Sequence, residues 1–228
     1  MAHGSRPGLK KGNVALVTIK LGAGLPSLRV GDALGVILAA IERVNQGTRI
    51  RIVEYSTQSN HVHLIVEARN SADLSRGMAS LNTGIGMRLN RIWGRTGQGS
   101  VFEERFHLVV IDSPTQMRNA LNYVLRNDVH HGLELWTLDP CSSALSFGGW
   151  GQLQGVKGRA RTAEAAKECV TVPPKTWLLK VGWQVVKGGQ RRLLSTGRWP
   201  KVAAKKVTTS GQVLQSQGRA QPSPTQPN

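Results

Sequence analysis

Acidic side chains are scarce in this chain: 13 Asp and Glu stand against 30 Lys and Arg in 228 residues, a formal net charge of +17. An excess of that size repels itself in the compact state, so it points to a polyanionic partner, nucleic acid first and an anionic membrane surface second. Cysteine is nearly absent. Cys141 and Cys169 make neither a disulfide framework nor a zinc-ligand spacing, which suits a reducing compartment. Long apolar runs are missing as well, the longest, Ala33 to Ile41, being too short to span a bilayer. Lys10 and Lys11 precede an apolar stretch that Thr18 and Lys20 interrupt, a poor secretory signal. These absences leave the expectation of a soluble cytoplasmic protein with no membrane partner.

Apolar residues make up 39% of the chain, enough for a core but low for a chain folded throughout. The charge is uneven. Residues 1–140 carry 16 basic and 11 acidic side chains, and residues 141–228 carry 14 and 2. The pattern therefore divides into a flexible N-terminus (1–12), a folded domain (13–140), a basic extension (141–209) with a short docked segment near 176–183, and a tail of disordered composition (210–228).

Within the domain, NVALVTI (13–19) reads as a strand, and Val30 to Asn45 as a helix through Ala33, Leu34, Ile37, Leu38 and Ile41. Thr48 to Ser56 alternates, with Ile50 and Ile52 on one side and Arg51, Val53 and Tyr55 on the other. HVHLIVE (61–67) follows as its hairpin partner. Ser71 to Trp93 is a long helix capped by Ser71 or Asn70, and Phe106 to Ile111 is a fourth strand. A last helix opens at Ser113, with Pro114 at its first position and Gln116 three residues after the cap, and runs to about Asn127. Strand–helix–strand–strand–helix–strand is the split βαβ, ferredoxin-like order of an α+β fold, here with one more helix at the C-terminal side.

His61 and His63 lie two apart in a strand, so both imidazoles point to one face and can converge on one ion above the sheet. The same pattern suits two polar residues on a half-exposed strand. Tyr123, one of only two tyrosines, sits on the capped helix with Asn127 one turn on, beside the stripe of Met117, Leu121, Val124 and Leu125. Alone, that is equally a core-rimming Tyr and a helix-ending Asn. In combination, two imidazoles and an amide oxygen from Asn127 suit a divalent cation. Such a cation polarises a phosphodiester as a Lewis acid, and Tyr123 stands ready as the nucleophile. Arg118 and Arg126 are candidates to ease its ionisation. Tyr55, in a strand without a helical polar partner, is a poor rival.

NHVHLIVE (60–67), followed by GQGSVFEERFHLVVIDSPTQMRNALNYVLRND (97–128), resembles the HUH single-strand transposases, and within them the REP-associated tyrosine transposases. The likeness covers about residues 12–150. It implies that 13–140 is a catalytic domain, that His61, His63 and Asn127 hold Mg2+ or Mn2+, and that Tyr123 forms a 5′-phosphotyrosine with single-stranded or hairpin DNA. Arg51, Arg88, Arg91, Arg95, Arg105, Arg118, Arg126 and His107 are the side chains expected to track that DNA. Whether Tyr123 serves its own subunit or a partner in a homodimer is open at this point. Two other readings stand beside strand transfer. One is a domesticated, non-cleaving binder of DNA or RNA hairpins. The other is a replication initiator or relaxase, disfavoured by the short chain and the absence of a helicase-type phosphate loop.

Overall fold

The computed structural model describes residues 8–10, 13–103, 105–126, 138–151, 169–186 and 188–195. Strands β1 (Val14–Lys20), β2 (Ile50–Thr57), β3 (His61–Ala68) and β4 (His107–Ile111) form one antiparallel sheet in the order β2-β3-β1-β4. Helices α1 (Ala33–Asn45) and α2 (Ser71–Ile92) are the crossovers of the split βαβ arrangement, and α3 (Pro114–Leu125) follows β4. The expected α+β, ferredoxin-like fold is the fold found.

Alternation along the strands sorts the sheet into two faces. Ala15, Val17, Ile19, Val62, Leu64 and Val66 join Ile37, Ile41, Leu74, Met78, Leu81 and Ile85 in a core beneath α1 and α2. Val14, Val53, Ile65 and Ile111 face the other way and pack on Met117, Leu121, Val124 and Leu125 of α3. The helices begin and end where local chemistry directs. Asn70, not Ser71, caps α2, accepting from Asp73 N at 2.8 Å, and Gly94 (φ 64°) turns the chain out of its C-terminus. Ser113 caps α3 by accepting from Gln116 N, while the Gln116 side chain reaches back to accept from Asp112 N at 3.2 Å. Helix α1 opens at Ala33, later than expected, because Gly31 (φ 56°) holds the preceding turn. The fourth strand starts at His107, one residue after Phe106.

One strand departs from simple alternation. The β2–β3 register shifts between Ile52 and Glu54, leaving Val53 as an extra residue. A bulge flips every later side chain to the opposite face. Tyr55 therefore lies with Ile50 and Ile52 in the α1/α2 core, not with Val53 as strict alternation predicts.

The expected docked segment is present as helix α4 (Trp177–Lys180) followed by a 3-10 turn, Gly182–Gln184. Leu178, Leu179 and Trp183 seat on α3. Several polar side chains hold this strap. Glu67, at the end of β3, accepts from Lys175 N, from Thr176 N (2.7 Å) and from the Thr176 hydroxyl (2.7 Å). Arg118 donates to the carbonyls of Trp183, Arg192 and Leu193. Among the described residues no helix is long and apolar enough to cross a membrane.

Candidate active site

His61 and His63 do share a face, the face that carries Ile65 and meets α3. His63 is buried and His61 half-buried, with ring centroids 4.6 Å apart and planes nearly perpendicular. Each Nδ1 is tied to an oxygen. Thr18, directly opposite His63 in the β1–β3 register, places its hydroxyl 2.9 Å from His63 Nδ1. Asn60 Oδ1 lies 2.7 Å from His61 Nδ1. An amide oxygen only accepts, so Nδ1 of His61 carries the proton and its Nε2 keeps the lone pair. The Thr18 hydroxyl can hold His63 in the same tautomer. Such outer partners fix ring orientation in metal-binding histidines.

Helix α3 brings the third group. The Tyr123 hydroxyl lies 3.2 Å from His63 Nε2, with ring centroids 4.8 Å apart. The side chain stays partly exposed at the helix edge, beside the apolar stripe and not within it. Partial burial pushes the phenol above its ordinary value, because the ionised form is the one that loses solvation. Two imidazoles with tied Nδ1 atoms beside a phenol oxygen are a donor set that fits a divalent cation. Asn127, the expected oxygen ligand, lies outside the described residues. Among the described residues no group of three or more His, Cys, Asp or Glu side chains gathers in a metal-binding cluster.

The remaining expected site residues scatter. His107 is on the same face, across Thr18 from His63 in one row of the sheet, and is exposed. Arg105, just before β4, is exposed, and Arg95 reaches Gln98 and Asn90. Arg88 and Arg91 are on α2, in the layer on the opposite face of the sheet. Arg51 pairs with Glu67 at 3.5 Å and bonds the Pro173 carbonyl, so it holds the strap. Arg118 donates to three strap carbonyls, and Arg126, itself buried, donates to the Ser195 carbonyl at 3.3 Å. Burial and the neighbouring Arg192 lower the Arg118 pKa. Tyr55 is buried on the far face, its phenol pushed well above the ordinary range by loss of solvent. Trp183 is a docking residue and Trp177 is exposed. Sequence reasoning missed Thr18 and Asn60. Asn60 had a signal, being the neighbour of His61, but Thr18 is 45 residues from His63 and only strand pairing joins them.

One face of the ferredoxin-like sheet thus carries the paired histidines and the helix-borne tyrosine. The family described as transposase, IS200-like, matches residues 30–127, a segment that contains His61, His63, Tyr123 and Asn127. The match agrees with the resemblance read from the motifs. Among solved structures, that of a REP-associated tyrosine transposase bound to a REP hairpin is 15% identical, with 86% of this chain and 100% of that chain covered and a TM-score of 0.50. The two share a fold. A candidate transposase from Deinococcus radiodurans R1 is 10% identical over 57% of this chain and 95% of its own, with a TM-score of 0.38. No curated protein matches the chain in sequence.

Proposed function

We propose that the protein nicks and rejoins single-stranded segments of structured, hairpin-forming DNA through Tyr123. The observation that carries this reading is the Tyr123 hydroxyl 3.2 Å from His63 Nε2, on the face that also holds His61. The phenol oxygen attacks phosphorus, the bond to the 3′-oxygen breaks, and that oxygen leaves as a free 3′-OH after taking up a proton. The DNA 5′-phosphate stays on the tyrosine as a diester, so a second 3′-OH can reverse the step without ATP. Mg2+ or Mn2+, held by His61, His63 and Asn127, would supply Lewis-acid polarisation of the phosphate. Thr18 and Asn60 keep both Nε2 atoms turned to the site, and α3 holds the phenol at its edge. Because Tyr123 meets a histidine of its own chain, the reading is attack in cis, with no partner subunit required.

Incubating the protein with Mg2+ or Mn2+ and a labelled single-stranded hairpin should give a covalent adduct resistant to denaturing gel electrophoresis. Tyr123→Phe should abolish the adduct and retain hairpin binding. An undiminished adduct in that variant refutes the nucleophile; binding with no adduct in the wild type under either metal leaves a non-cleaving hairpin binder.

A further inference from the structure

The outer surface of the α1/α2 layer, on the face of the sheet opposite Tyr123, carries a cluster of arginines. A groove of about 810 Å3 between the two helices is lined by Arg43, Arg88 and Arg91 with small and apolar residues such as Ala40, Gly84 and the exposed Met87. A second depression, of about 590 Å3, shares Arg43 and Ser80 with it and adds Arg49, Arg69 and Arg76. The first lining contains no carboxylate; the second contains one, Asp73, already paired with Arg69 at 2.8 Å. Among the described residues, Arg43, Arg49, Arg76, Arg88 and Arg91 have no ion-pair partner. All but the half-buried Arg88 are exposed.

We infer that this helix layer is a docking surface for the phosphate backbone of a DNA duplex, the stem of the structured substrate. Charge complementarity selects a polyanion. The absence of any aromatic side chain from both linings selects a duplex over a single strand, because single strands are gripped largely by base stacking on aromatics. Length agrees. The 22 residues of α2 span about 33 Å at 1.5 Å per residue, close to one turn of B-DNA, about 34–36 Å. Gly84 has nothing within 4 Å of a built Cβ, so the groove floor is open to close approach.

The surface also leads to the reactive groups. Helix α2 starts just after the far end of β3 and runs back along it. Its later residue Gly86 packs on Val101, whose carbonyl accepts from Gly22 next to Leu21, and Leu21 in turn donates to Asn60. Arg91 therefore lies at the end of the sheet where Asn60 and His61 begin β3. A stem on the helix layer can pass its unpaired strand around that end, by Arg95, to Tyr123.

This inference rests on structured DNA being the substrate, and its test reads binding and not chemistry. Fluorescence anisotropy would compare a DNA hairpin with a stem of about ten base pairs, one helical turn, with an unstructured oligonucleotide of equal length. For the full chain carrying Arg43→Ala, Arg88→Ala and Arg91→Ala, hairpin affinity should fall about tenfold or more. The plot of log K against log salt should become shallower by about 2.7, three phosphate contacts at about 0.9 each. The unstructured oligonucleotide should lose less than about threefold. Unchanged hairpin affinity, or an equal loss on both DNAs, overturns the inference, as does wild-type preference for an RNA stem of the same sequence. If the triple variant fails to fold, the exposed single change Arg91→Glu carries the same test. A wild-type protein that forms no adduct but binds hairpins through these arginines would sink the proposed chemistry and leave this surface standing.

Discussion

Thr18 looks like an ordinary strand residue, yet its hydroxyl lies 2.9 Å from Nδ1 of His63, whose other nitrogen faces Tyr123. Valine has nearly the same shape and an equal taste for strands, so Thr18→Val removes the hydrogen bond and little else. Loss of an outer partner typically costs about 10- to 100-fold in metal affinity or activity. Adduct formation should drop by that factor, and Mn2+ binding followed by electron paramagnetic resonance should weaken in parallel. Thr18→Ser should restore both; a Val variant with wild-type Mn2+ affinity would remove Thr18 from the site. Glu54 is a second buried polar residue, and it belongs to stability. Burial pushes its carboxyl up to about 8, against which a hydrogen bond from Ser143 at 2.5 Å works only in part. The folded chain then holds a proton that the unfolded chain releases above the ordinary value of 4.5. Stability from this group is whole below pH 4.5 and declines as pH rises toward 8. Glu54→Gln should therefore gain on the wild type by on the order of a few kcal/mol at pH 8 relative to pH 4 in urea unfolding. The same difference at both pH values would show that burial does not hold Glu54 protonated.

At the scale of elements, two glycines of α2 make opposite predictions. A Cβ at Gly77 would come within 2.6 Å of the Ile50 side chain, so α2 sits on β2 only because that position is bare. Gly77→Ala should destabilise by about 1–3 kcal/mol from overpacking, despite the better helix propensity of alanine. Gly84→Ala meets nothing within 4 Å and should gain up to about 1 kcal/mol. Thermal or urea unfolding of both variants decides; stabilisation of both would mean that α2 and β2 are less tightly packed than described. The contrast bears on what the sequence could reveal. Apolar period and capping chemistry marked α2 and α3 within a residue or two, and HVHLIVE carried its two faces in its alternation. The Val53 bulge was illegible, because an extra residue in a strand leaves no compositional trace, and it moved Tyr55 to the other face. His61, His63 and Tyr123 were legible as chemistry. Arg118 was not, because its role depends on strap carbonyls 65 to 75 residues later. A guanidinium that donates to a neighbouring carbonyl and one that awaits a phosphate are the same letter.

For the whole molecule, the arginine-lined grooves and the candidate chemistry fall on different faces of the sheet. The arginine-lined layer of α1 and α2 covers one face of the sheet, and the imidazoles and phenol lie on the other. Holding the DNA and cutting it should then respond to different reagents. Binding through guanidiniums is a matter of counterion release, so raising salt from about 50 to about 200 mM should weaken hairpin affinity by orders of magnitude if six or more phosphates are held. Once DNA is saturating, the same change should alter the rate of adduct formation by no more than a few-fold, since a phenol and two imidazoles within van der Waals reach of one another feel little screening. Chelator should do the reverse, leaving hairpin affinity within about twofold and removing the adduct. The decisive measurement is both quantities on one preparation, affinity by anisotropy and adduct by denaturing gel, across salt and with and without EDTA. If EDTA also abolished hairpin binding, the cation would be a bridge to the DNA, and the division of work between the two faces would be wrong.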